Sequence, residues 1–64
     1  MCLSTAYKNN KDDSTVLARY VSQVQVLPGK VILTDIVGTE TVVEGELNYI
    51  DLTGGVVVIR TDAA

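Results

Sequence analysis

At 64 residues the chain holds a single domain, 1–64, of a size at which one hydrophobic core leaves only about a few kcal/mol of net stability. It has no histidine and one cysteine, Cys2, which excludes an internal disulfide and removes the ligand types of a tetrahedral zinc centre. Eight acids against five bases give a net charge of −3, and Lys8, Lys11, Arg19, Lys30 and Arg60 are scattered, which argues against nucleic acid, where clustered positive charge supplies the affinity.

Along the chain the pattern is strand after strand. The expected strands are 2–8, 14–20, 21–27, 30–36, 39–44, 46–52 and 56–61, rich in Val, Ile, Thr and Tyr, which suit a pleated, half-buried surface and disfavour helix. Turn signals separate them: "NNKDD" at 9–13, "PG" at 28–29, Gly38, Gly45 and "TGG" at 53–55. Such spacings give hairpins and a meander. The predicted fold is all-β, a small, strongly curled antiparallel sheet or barrel of six or seven short strands. Gly45, between "TVVE" and "ELNYI", marks a bulge or a tight corner where the sheet turns on itself.

Alternation indicates which faces are covered. In "VSQVQVL" Val24 and Val26 point one way and Gln23 and Gln25 the other, as in a strand with one dry face. By contrast Val31, Ile32 and Leu33, and then 56–59, are apolar without a break, so both faces of these strands are expected to be buried. Nearly half the residues, 47%, are hydrophobic. In so small a body the second face is most easily covered by another copy, and a homodimer is expected. No stretch reaches the roughly 20 apolar residues of a membrane span, and the N-terminus lacks the regions of a signal peptide, so the expected setting is the cytoplasm, without membrane attachment and with Cys2 reduced.

Catalysis lacks its parts. Without histidine the commonest general base is missing and Cys2 has no imidazole to activate it, and no phosphate-cradling glycine spacing exists. The protein is therefore read as a non-enzyme. The carboxylates of Asp12, Asp13, Asp35, Glu44 and Asp51 do not have the spacing of a calcium loop. Asp12 and Asp13 are expected in a solvated turn, Asp35 on backbone amides near the turn at 37–38, and Asp51 either exposed or on a loop amide.

Cys2 remains. Its thiolate stands beside the α-amine of Met1, whose ordinary pKa of about 8 lets a metal displace the proton near neutrality. With Met1 present, its amine, the deprotonated amide of Cys2 and the Cys2 sulfur form fused five-membered chelate rings on one metal. With Met1 removed, the amine and sulfur of Cys2 form a single ring, and two chains about a twofold axis supply a nitrogen and a sulfur each. Both arrangements tend to planarity, which suits Ni(II) or Cu(II) rather than zinc. The competing reading makes Cys2 a small buried side chain of the first strand.

The opening "MCLS", the central "KVILTDIVG" and the later "VEGELNYIDL" resemble the CooT family of small proteins. Its members share a start of Met, Cys, any residue and a small residue, an "LTD" with a nearby glycine, and a glycine followed by an "ID" pair. The resemblance covers nearly the whole chain. It implies a homodimeric nickel-binding protein, a metallochaperone in the maturation of carbon monoxide dehydrogenase or another nickel enzyme, with Cys2 as the Ni(II) ligand. Only the amine of Met1 is added to the expected metal site. Some members carry the label "predicted RNA-binding protein", and the alternative is a non-metal binding module, either an RNA binder or a protein adaptor.

Overall fold

The computed structural model describes residues 3–61. The fold is all-β, a single mixed sheet of six strands: β1 (Ser4–Lys8), β2 (Val16–Leu27), β3 (Lys30–Asp35), β4 (Glu40–Glu44), β5 (Glu46–Asp51) and β6 (Val56–Arg60). Among the described residues the only helical element is one 3-10 turn, Asp13–Thr15. The strand order is β4-β3-β2-β1-β6-β5. Hairpins join β2 to β3, β3 to β4 and β5 to β6, as the turn spacings predict, but β1 and β6 pair in parallel.

Four expectations are corrected. The sheet is mixed rather than antiparallel, because the first and last strands lie side by side in the same direction. It is neither closed nor strongly curled: β4 and β5 are its two edges, and no ladder joins them. The expected strands 14–20 and 21–27 are one strand of 12 residues. The expected second dry face of 30–36 is only half realised, since Val31 and Leu33 are buried while Ile32 is partly exposed beside an exposed Val42. Residue 2, placed in the first expected strand, lies outside the described residues.

The long strand β2 is the backbone of the architecture. Its first half pairs with β1 and its second half with β3. Between the pairs Ser4–Val21 and Ala6–Ala18, two residues of β2, Arg19 and Tyr20, face the single residue Thr5. This bulge accentuates the local twist. Tyr20 makes it possible by adopting φ 57°, and its carbonyl accepts the Ile36 amide at 3.1 Å. The strand was expected to break at this point, and it bends instead.

Two apolar clusters follow. The larger contains Ala6, Val21, Val31, Leu33, Val43, Val57 and Ile59, with Leu17, Ala18, Val24 and Leu47 packed against it. A smaller one, Tyr7, Val56 and Val58 with Val16, covers the other side of β1 and β6. Successive residues of β6 point to opposite faces. All four residues 56–59 are therefore buried, at 4% exposure or less, and the chain itself supplies the cover that was expected from a second copy. The dry face of β2 fades toward its hairpin, where Val26 is exposed.

β4 and β5 are separated by one residue, Gly45, although they are opposite edges of the sheet. Its amide donates to the Gly29 carbonyl at 3.0 Å, and a side chain here would strike the Arg60 carbonyl. The tight corner expected of this glycine is present.

Candidate functional site

The expected ligands, Met1 and Cys2, lie outside the described residues. What the structure does describe is the ground from which they extend, the start of β1. Ser4 is paired with Val21 of β2, and Val21 with Asp35 at the end of β3. On the other side Thr5 is paired with Val56 of β6, and Val56 with Asp51 at the end of β5. The sequence segments "MCLS", "LTDIVG" and "GELNYID" are far apart in the chain. Their ends meet on one row across the sheet.

Both aspartates of that row are occupied by turns. Asp35 Oδ1 accepts the amides of Val37 and Thr39, each at 3.0 Å, while the Asp35 carbonyl accepts the Gly38 amide and its own amide donates to Thr39. Asp51 Oδ1 accepts the Gly54 amide at 3.0 Å. For Asp35 this is the backbone role expected, and Asp51, for which an exposed position or a loop amide was expected, is exposed and accepts a loop amide. Asp12 caps the 3-10 turn through the amide and hydroxyl of Ser14, and these hydrogen bonds, the amide's above all, hold its carboxyl below its ordinary pKa of 3.8. It is exposed, as is the neighbouring Asp13. Among the described residues no three carboxylates or other ligating groups come together as a metal centre.

The turn from β5 to β6 touches the start of β1 directly. The Thr5 amide donates to the Gly55 carbonyl at 2.9 Å. Gly55 has φ 68°, and a β-carbon on it would lie 3.1 Å from the Leu3 carbonyl oxygen. Sequence reading marked "TGG" as a turn and gave no sign that it packs on the other end of the chain. The same end of the sheet exposes apolar side chains: Leu3, Tyr20, Ile36, Val37 at 80% and Leu52 at 75%.

Two of the five bases face acids. Arg60 contacts Glu46 at 3.2 Å, and Lys30 stands opposite Glu44 across the β3–β4 ladder. No helix of the described residues is long and apolar enough to cross a membrane.

Comparison with known families decides the wider assignment. The model of the family described as "CO dehydrogenase accessory protein CooT" matches residues 1–60. The chain belongs to the CooT family. The match takes in all six strands and the row on which the three motifs converge. No curated protein and no solved structure matches the chain. Membership in CooT implies an accessory role toward CO dehydrogenase rather than the enzyme's own chemistry.

Proposed function

We propose that this CooT protein binds Ni(II) through the Cys2 thiolate, with the Met1 amine as a further ligand, and delivers it to a nickel enzyme such as carbon monoxide dehydrogenase. The metal is cargo. The observation that carries the reading is the convergence of the three CooT-like segments on the row from which Met1 and Cys2 extend. The aspartates of that row each give one carboxylate oxygen to backbone amides, and the reading is supported by the thiolate and amine as a sulfur–nitrogen donor set of planar tendency, suited to Ni(II). A site built from a terminal amine and one thiolate exchanges ligands with a partner more readily than a closed cage, as delivery requires.

The same reading includes a cytoplasmic setting and a homodimer. Leu3, Tyr20, Ile36, Val37 and Leu52 are exposed at the end of the sheet where β1 begins. A second copy of the chain is the cover proposed for them. Sedimentation equilibrium at micromolar concentration is expected to give a dimer, and a monomer defeats this part of the reading.

The test is a titration of Ni(II) into the reduced protein at neutral pH, beside Cys2→Ser, followed by thiolate-to-nickel charge-transfer absorption. Saturating absorption that disappears in Cys2→Ser is expected. Absorption that persists in the variant, or no binding at all, returns Cys2 to a packing role and favours an adaptor.

A further inference from the structure

We propose that the open edge of β4, Glu40–Glu44, takes up an extended segment of another protein as a further strand, and that the segment it selects carries basic side chains on either side of an apolar one. The proposal goes beyond the nickel reading and does not rest on it.

The direction of the hydrogen bonds along β4 follows from its two ends. The Asp35 amide donates to the Thr39 carbonyl and the Gly45 amide to the Gly29 carbonyl, each at 3.0 Å. In an antiparallel ladder, residues that turn their amide and carbonyl toward the neighbour alternate with residues that turn them away. Between the two anchors β3 and β4 stay in register without a shift, from Thr34 opposite Glu40 to Lys30 opposite Glu44. Thr41 and Val43 therefore bond to β3, while Glu40, Val42 and Glu44 direct their amides and carbonyls to the open side. The sheet ends there, and among the described residues no backbone hydrogen bond outside the ladders reaches these three. Their side chains share one face of the strand and all are exposed, Val42 at 56% with the half-buried Ile32 opposite it.

Open edges are normally blunted by a bulge, a proline or a lysine. The other edge follows that rule in part: β5 shifts register between Leu47 and Tyr49, and its Glu46 is held by Arg60 at 3.2 Å. β4 is regular, contains neither proline nor lysine, and among the described residues neither Glu40 nor Glu44 has a salt bridge.

The acidic ends of β4 decide the occupant. A second copy added antiparallel about Val42 sets Glu40 of each chain against Glu44 of the other, and β5 offers Glu46 and Asp51, so the edges of this chain repel one another. A strand with bases at its first and fifth positions and an apolar residue at its third puts opposite charges directly across both glutamates and an apolar contact across Val42. Lys30 already stands opposite Glu44 on the inner side, whereas Glu40 has Thr34 there, so the base that faces Glu40 counts for more.

The experiment uses the full chain and a short capped peptide in which threonine alternates with lysine, valine and lysine, beside a control peptide with glutamates in place of the lysines. Its readouts are amide NMR shifts and amide hydrogen exchange. The lysine peptide is expected to bind at low salt and more weakly as salt rises. It should slow exchange at the amides of Glu40, Val42 and Glu44 about fivefold or more, with Thr41 and Val43, already bonded to β3, little changed. Glu40→Gln is expected to weaken binding about threefold and Glu40→Lys about tenfold, with smaller losses for the same changes at Glu44.

No binding at millimolar peptide, equal binding of the glutamate peptide, or binding without protection of the three amides overturns the proposal; the last would mark a contact of charge alone. Protection of those amides in the peptide-free chain overturns it as well. If that protection grows with protein concentration, a second copy holds the edge, and if it is lost on removal of residues 62–64, the chain's own end does.

Discussion

The Tyr20 carbonyl accepts the Ile36 amide at 3.1 Å, and it does so from a backbone conformation, φ 57°, that a bulky side chain rarely takes. That contact ties the bend of β2 to the turn after β3. The tyrosine ring itself is 61% exposed, so burial gives little compensation for the strain. Glycine at this position removes the steric cost, whereas a β-branched residue increases it. Tyr20→Gly is expected to be no less stable than the wild-type chain, and Tyr20→Val to lose about 1 kcal/mol or more, as read from urea denaturation midpoints.

Gly45 is under a different constraint. Alanine there collides with the Arg60 carbonyl, and the Gly45 amide is bonded to Gly29, so relief requires moving either the end of β6 or the β2–β3 turn. Gly45→Ala should cost about 3 kcal/mol, compared with about 1 kcal/mol for Gly38→Ala, where φ is 91° and no atom lies near. Equal losses at the two positions would show that the collision is relieved without cost.

Because the faces of β6 are buried in separate clusters, truncation on either face leaves a void. Val57→Ala and Val58→Ala are each expected to lose about 2 kcal/mol, while Val42→Thr, on an exposed position of the edge strand, stays within about 0.5 kcal/mol. A Val58→Ala variant as stable as the wild-type chain would refute the second cluster as a packed core.

Asp12 gives the fold a pH dependence of known sign. Hydrogen bonds from Ser14 lower its pKa in the folded chain, so its contribution is fully present above the unfolded value, near 3.8, and is lost as pH falls through the lower folded value. The stability difference between wild type and Asp12→Ala should be constant at neutral pH and shrink as the solution is acidified below pH 4. A difference that grows on acidification would contradict the capping role.

Local chemistry carried much of the fold into the sequence. Glycine and proline punctuation located the β2–β3 turn, and the unbroken valines of β6 announced two covered faces. Asp35 was legible as a turn residue because a short carboxylate beside a glycine turn has amides within reach, whereas for Asp51 the loop amide was one of two readings. The parallel pairing of β1 with β6 was not legible, since turn signals report neighbours in sequence and this contact closes almost the whole chain. The continuity of β2 was hidden too: a tyrosine in a left-handed conformation bends the strand without any of the residues that usually mark a bend. Of the candidate site, Cys2 and Met1 could be named from chemistry and resemblance. The turn that packs on residues 3–5 could not, because nothing in "TGG" says which distant backbone its bare α-carbon will meet.

The parallel pair also sets an order of assembly. The β2–β3–β4 meander and the β5–β6 hairpin are local in sequence and carry small loop-closure costs, whereas β1 acquires its second neighbour only once β6 has been made. During synthesis β1 emerges before β6, so its second edge is paired only after β6 has emerged. Until then that edge of β1 stays open, and the six-stranded order is complete only with the final strand of the sheet.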